Sequence, residues 1–258
     1  MPDPLIALAF GFVVALVTTP VGVSGAVLLL PVQLDVLKVP NPSVTPTNLL
    51  YNVVSGPGAL LRHRRQGFDT PLLTHLLAGT VPGVVVGACL RVWLVPDPRP
   101  FRLVAALVLL PLGVWLVVRA ARRQPVATDA AAPRPRTLVL LALAVGVVGG
   151  IYGIGGGSLL APLLVGRGMA VAKVAPAALA STFVTSIVGA AAFTVLAVGV
   201  DGSVAPDWSL GIAAGLGGLA GGYLGARWSR FAPERALRLL LGVLAIVLAL
   251  TYVVLALR

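Results

Sequence analysis

The sequence predicts an all-α, polytopic membrane protein made of two inverted repeats. Each repeat has five hydrophobic segments, with the second and seventh short enough to re-enter rather than span. Three observations predict this. Of 258 residues, 58% are hydrophobic and 10% charged, where a soluble domain carries about 25% charge. A glycine-rich stretch occurs twice, each time after one apolar run and before another. Basic residues gather in alternate gaps between the runs. The ~10-residue alternating strands of an outer-membrane barrel are absent.

The first five segments are Leu5 to Thr19, Ala26 to Leu37, Val44 to Leu61, Leu72 to Val95 and Phe101 to Val118. Only Asp3 precedes the first run, whereas a secretory leader begins with a basic region. That run also takes part in the internal repeat, so it reads as the first membrane segment. Residues 119–136 form a polar linker with Arg119, Arg122, Arg123, Arg134 and Arg136 beside Pro125, Pro133 and Pro135, a composition that resists packing. Five further segments follow: Thr137 to Tyr152, Ser158 to Val165, Val174 to Val198, Leu210 to Ala226 and Leu237 to Leu257. The expected division is a first membrane repeat over 1–118, a cytoplasmic linker over 119–136 and a second membrane repeat over 137–258.

The repeat is read residue by residue. Gly22, Gly25, Leu28, Leu29 and Pro31 recur as Gly153, Gly156, Leu159, Leu160 and Pro162, at an offset of 131 without a gap. Pro46 lies opposite Pro176, Gly83 and Gly87 opposite Gly217 and Gly221, and Arg102 opposite Arg238. Duplication of one unit accounts for such matches along nearly the whole chain.

Charge sets the orientation. Fourteen of the 19 basic residues fall in the gaps after the third, fifth, seventh and ninth segments or, for Arg238, at the very start of the tenth. Ten crossings place all four gaps on one side, which the positive-inside rule makes cytoplasmic. The loop from Gly199 to Asp207 has no basic residue and carries Asp201 and Asp207, as an outer loop should. An odd number of segments per half turns the halves antiparallel. If the second and seventh segments pair with their predecessors as hairpins, three spans remain per half and the inversion survives.

A glycine cluster breaks a helix and leaves backbone N–H groups free. At membrane depth such a break is tolerated only against protein or a water-filled cavity, and matched breaks in two repeats point to a transport site. The candidate substrate-binding residues are therefore Gly22, Ser24 and Gly25 in the first break and Gly155, Gly156, Gly157 and Ser158 in the second. Asn48 and Asn52 in the third segment and Ser181, Thr182 and Thr185 in the eighth complete the set. Asn48, Asn52 and Ser55 share one helical face, and Ser186 lies close to Thr185. Hydroxyls at such positions commonly serve helix packing; the two amides favour a polar lining, because each needs several partners. Gly83 with Gly87, and Gly217 with Gly221 and Gly225, read as packing surfaces of the GxxxG kind. Arg91 lies near the end of the fourth segment and can snorkel outward. Trp93, Trp208 and Trp228 suit the interface belt.

No carboxylate lies clearly at membrane depth, where a cation pump keeps one. Hydroxyls, amides and helix N-termini suit an anion better. The lone Cys89 excludes an internal disulfide and multi-cysteine metal or redox sites, and no catalytic motif occurs. The expected partners are a small anion and the lipid bilayer, with a second copy of the chain admissible. No nucleic acid partner, cofactor or enzymatic activity is expected. The competing readings are a permease for another small solute such as a carboxylate and, less favoured, a membrane-embedded enzyme.

Several of these features together resemble a known family. Pro20-Val21-Gly22-Val23-Ser24-Gly25, Gly150-Ile151-Tyr152-Gly153-Ile154-Gly155-Gly156-Gly157, the following Leu28-Leu29-Leu30-Pro31 and Leu159-Leu160-Ala161-Pro162, and Gly225-Ala226-Arg227 resemble the signature of the sulfite exporter TauE/SafE family. The resemblance implies a bacterial inner-membrane permease for sulfur-containing anions such as sulfite and sulfonates. The first break departs from the pattern at Ser24 and Ala26.

The charge pattern predicts a labelling result. With Cys89 replaced, a cysteine at Ser203 reacts with an impermeant thiol reagent from the periplasm and a cysteine at Thr128 does not. The opposite result refutes the orientation.

Overall fold

A computed structural model describes residues 3–19, 24–63, 69–121, 133–167, 169–200, 202–228 and 234–257. Among them the regular structure is helical: α1 (Pro4–Thr18), α2 (Ala26–Pro31) continued by a π-helical turn (Val32–Val36), α3 (Val44–His63), α4 (Thr70–Trp93), α5 (Pro98–Ala121), α6 (Pro135–Tyr152), α7 (Gly157–Gly166), α8 (Val171–Leu196), α9 (Trp208–Trp228) and α10 (Glu234–Leu257). Each expected segment is found as a helix, displaced by a few residues at its ends. Gly22 and residues 122–132 of the linker lie outside the described residues, as do Arg64 and Arg65.

The acidic residues explain three helix starts. Asp3 accepts from the Leu5 N–H at 2.8 Å, Asp69 from Leu72 at 3.0 Å and Asp207 from Leu210 at 3.0 Å. Each carboxylate satisfies an orphan donor and favours the positive helix end. Among the described residues five helices, spanning 70–93, 98–121, 135–152, 173–196 and 239–257, are long and apolar enough to cross a membrane. Their outer faces are apolar: on α5, Leu103, Leu107, Leu110, Val114 and Val118 are exposed while Ala105, Leu109, Leu112 and Leu116 are buried. A soluble monomer does not present such a face, so these side chains meet lipid. Trp93 and Trp208 are exposed at helix ends, as interface residues should be.

Glycine rows set the helix pairs. Gly217, Gly221 and Gly225 of α9 lie on the α1 backbone; a Cβ at each would stand 2.0, 2.1 and 2.6 Å from the carbonyl oxygens of Leu8, Phe12 and Leu16. Gly79, Gly83 and Gly87 of α4 lie on α6, where a Cβ would stand 2.3, 2.5 and 2.3 Å from the oxygens of Val139, Leu143 and Val147. Both partners ascend together, so each pair is parallel. These are packing surfaces, as their spacing predicts.

Other contacts fix the remaining directions. Gly211, Gly215 and Leu219 of α9 meet Leu50, Val54 and Gly58 of α3, a parallel pair. Gly56 meets Phe183 while Gly189 meets Leu49, so α3 and α8 are antiparallel. Val117 and Gly113 of α5 meet Gly242 and Ile246 of α10, again antiparallel. Exchanging α1–α5 with α6–α10 leaves the main pairings unchanged: α4–α6 becomes α9–α1, α3–α9 becomes α8–α4, and α3–α8 and α5–α10 map onto themselves.

The seventh segment folds back on the sixth. Gly149 of α6 lies against Gly155 and Gly156, and Gly146 lies near Gly156, so α7 doubles back along α6. Ten residues rise only about 15 Å, half of a membrane core. At one end of the bundle three loops are tied together. Asn41 Nδ2 donates to the Pro96 carbonyl, Ser43 Oγ to the Ala205 carbonyl, and the Asp207 N–H to Thr47 Oγ1 at 2.8 Å.

Replacing Gly221 by Leu forces α1 and α9 apart at a backbone carbonyl that cannot move aside. The expected loss is about 3 kcal/mol or more, read as lower abundance and Tm in detergent. Gly199→Leu, at a glycine with open space around it, leaves both unchanged. A folded Gly221→Leu of normal Tm would contradict the packing.

Candidate functional site at the paired helix breaks

The second break is built from α6 outward. Gly153, at φ 82°, closes α6 by donating to the Gly149 carbonyl at 2.8 Å, and Ile154 donates to the same oxygen at 3.2 Å. Gly155 follows at φ 70°. Both conformations disfavour a side chain. Space enforces the rest. A Cβ at Gly153 would stand 2.5 Å from the Thr45 oxygen, at Gly155 2.8 Å from Ser186 Oγ, at Gly156 2.6 Å from Thr80 Cγ2 and at Gly157 1.9 Å from the Ala178 oxygen. Four glycines in five residues thus let the turn sink among α3, α4 and α8.

A layer of hydroxyls surrounds it. The Gly156 N–H donates to Thr185 Oγ1 at 3.2 Å. Thr185 Oγ1 in turn bonds the Ser181 carbonyl at 2.6 Å. Ser158 Oγ donates to the Ile154 carbonyl at 2.8 Å and lies 3.4 Å from Thr182 Oγ1. Thr80 Oγ1 donates to Leu76 at 2.8 Å, so the contact of 3.0 Å with Ser181 Oγ has Ser181 as donor.

The first break uses amides where the second uses glycine and hydroxyls. Ser24 Oγ donates to Asn52 Oδ1 at 3.3 Å and accepts from the Ala26 N–H at 3.3 Å. Asn48 Nδ2 donates to the Ala26 carbonyl at 2.8 Å. Gly25 is packed against the Tyr51 hydroxyl, which a Cβ would approach to 2.4 Å.

The α3–α8 crossing joins the two groups. Leu49 lies opposite Gly189 and Gly56 opposite Phe183, which puts Asn52 and Ser186 at the same level between them. Ser186 Oγ and Asn52 Nδ2 are both buried without a hydrogen-bond partner, and so is Asn48 Oδ1. A buried polar atom left unpaired costs about 1–3 kcal/mol, so its place in a native interior calls for a water or a ligand. Thr80 lies about 15 Å along the 24-residue α4, so this polar layer sits near the middle of that helix.

Of the residues singled out from sequence, Ser24, Gly25, Asn48 and Asn52 form one group. Gly155, Gly156, Gly157, Ser158, Ser181, Thr182 and Thr185 form the other, and Gly22 lies outside the described residues. The Gly156 N–H is engaged by Thr185 rather than open. Thr80, Tyr51 and Tyr152 belong to the site's walls and carry no sequence signal beyond lying near glycines. Arg91 corrects an expectation: it does not snorkel but is fully buried. Its Nε donates to Thr45 Oγ1 at 3.1 Å, and its terminal nitrogens donate to the Val95 carbonyl and Asn41 Oδ1. The guanidinium lies 4.0 Å over the Phe101 ring, which stacks on Tyr152 at 6.4 Å. Tyr152 donates to the Val27 carbonyl at 3.0 Å. The loop tie drawn by Asn41 and the hydroxyl of Thr45 hold the guanidinium inside, where a flexible side chain alone would reach for water.

A sequence model of the sulfite exporter TauE/SafE family matches residues 7–252, both breaks included. The chain belongs to the sulfite exporter TauE/SafE family. Among curated proteins and among solved structures, nothing matches it. As a TauE/SafE protein it is a membrane transport protein, in keeping with its apolar helices.

The crowding at the second break predicts a graded response. Gly157→Ala places a methyl into the Ala178 carbonyl and lowers Tm by several degrees. Ser158→Ala removes one hydroxyl bond and costs about 1 kcal/mol. Equal Tm values for Gly157→Ala and the parent would show that α7 is free to shift.

Proposed function

We propose that this TauE/SafE protein carries a small anion, a sulfur oxoanion such as sulfite or an organosulfonate, across a bacterial inner membrane. The substrate is held at the α3–α8 crossing between the two breaks. One observation carries this: two buried side-chain atoms without a partner, Asn52 Nδ2 and Ser186 Oγ. They come one from each half, at the same level, each beside a helix break. An amide and a hydroxyl can both donate to oxyanion oxygens, and the N-terminus of α7 adds partial positive charge. Among the described residues, Asp3, Asp69 and Asp207 cap helices, and Asp35 accepts from the Tyr252 hydroxyl at 2.9 Å and pairs with Arg102 at 3.7 Å. The choice of a sulfur anion over a carboxylate rests on the family.

Movement follows from an inverted repeat, with 1–118 and 137–258 as its halves and the linker in the cytoplasm. The antiparallel α3–α8 and α5–α10 pairs support this, as do pairings that survive exchange of the halves. One repeat then rocks against the other about the crossing.

Ser186→Ala deletes a hydroxyl that nothing in the fold satisfies and is expected to keep or raise Tm. Asn52→Ala deletes the unpaired Nδ2 together with the acceptor of the Ser24 hydroxyl, and is expected to change Tm little. In proteoliposomes each raises the half-saturating sulfite concentration about tenfold or more, the worth of one hydrogen bond to a charged group. Parental kinetics in both variants would place the substrate elsewhere. Uptake of acetate with no uptake of sulfite or a sulfonate would give the carboxylate reading instead.

A further inference from the structure

Arg91 is the one charged residue among the described residues that is fully buried. Within a membrane such a group is rare and marks an ion or substrate path, or else is paired. Among the described residues no carboxylate lies within ion-pair distance of it; the ion pair found there joins Arg102 to Asp35. The partners of Arg91 are neutral: Thr45 Oγ1, Asn41 Oδ1, the Val95 carbonyl and the face of Phe101. They solvate the guanidinium and leave its charge in place.

Its position ties that charge to the second break. Thr45 Oγ1 accepts from Arg91 Nε at 3.1 Å and donates to the Ile151 carbonyl at 3.2 Å. The backbone of the same Thr45 is the surface on which Gly153 rests. The guanidinium therefore stands one residue behind the turn. The repeat shows that packing alone does not ask for it. Gly83 and Gly87 correspond to Gly217 and Gly221, so Arg91 corresponds to Gly225. There a Cβ would stand 2.6 Å from the Leu16 oxygen. Where one half closes its helix pair with glycine, the other has a cation.

We propose that Arg91 is the fixed positive charge that makes the pathway anion-selective. It acts from behind Thr45 on an anion at the second break, without touching it. In a low-dielectric interior the field of an unpaired charge is weakly screened over several ångströms. This inference rests on the anion-transport reading and adds the residue that enforces it.

The test compares Arg91→Lys and Arg91→Met in liposomes with labelled sulfite, after both are shown to be folded. The lysine keeps the charge and is expected to hold KM within about threefold of the parent. The methionine keeps an unbranched stem without the charge and is expected to raise KM about tenfold or more, with a smaller change in maximal rate. A folded methionine variant with parental KM overturns the proposal, even if its Tm falls, because Arg91 would then be only a structural tie. Should Arg91→Met not fold, Thr45→Val decides. It keeps the charge but removes the hydroxyl that anchors Nε, so KM rises severalfold, and an unchanged KM overturns the proposal. A parent protein that transports neither sulfite nor a sulfonate overturns the transport reading itself, and this inference with it.

Discussion

The structure depends on backbone lying directly on backbone. Lipid tails are as apolar as leucine, so burial of apolar surface cannot drive helices together in a bilayer; close packing must do it. Two glycine rows supply that closeness, one joining α9 to α1 and the other α4 to α6. In each row a glycine recurs every fourth residue and rests on a carbonyl of the partner. These pairs grip the first helix of each half, and with it the break at that helix's end. The α4–α6 contact also sets Thr80 against Gly146, and these two form the wall on which Gly156 rests.

Closeness in turn decides where polar groups can be tolerated. The second break enters the bundle because its glycines carry no side chains to hold α3, α4 and α8 away. What remains is a layer of hydroxyls that bond backward to their own helices, as Thr182 does to Ala178 at 3.0 Å. A hydroxyl bonded in this way still offers its oxygen as an acceptor, so the layer is self-satisfied without being closed. Asn52 and Ser186 stand apart from this arrangement, since their free atoms find nothing within the bundle.

The segment boundaries were legible because the apolar runs and glycine clusters are local features. Helix limits such as Val44–His63 and Pro135–Tyr152 fall within a few residues of the ranges read from hydropathy. The hairpin of α6 and α7 was legible as a length problem, because ten residues cannot span. The fate of Arg91 was not. A long cationic side chain near a helix end reads as surface; the opposite outcome depends on Asn41 and Thr45, which lie 50 and 46 positions away. The role of Tyr152 as a strut to the Val27 carbonyl is likewise a long-range contact with no local signature. Within the candidate site, the residue types were legible but their partners were not, since Ser24 and Asn52 meet only after α2 folds against α3.

The two breaks are related without being equal, and the difference follows the packing. Alignment at Pro46 and Pro176 sets Asn48 opposite Ala178 and Asn52 opposite Thr182. In the second half, Gly157 lies so close to the Ala178 carbonyl that no side chain fits between them. In the first half, the same crossing is bridged by the Asn48 amide donating to Ala26, which leaves room for the methyl of Ala26. Glycine and asparagine are thus alternative solutions at one crossing: direct contact, or a hydrogen bond across a wider gap. The wider solution brings amides into the interior and the tighter one brings hydroxyls. The interior between the two breaks is therefore faced by an amide on one side and a hydroxyl on the other. The poorer glycine content of the first break, at Ser24 and Ala26, is the counterpart of the amides that face it, and not a loss of the motif.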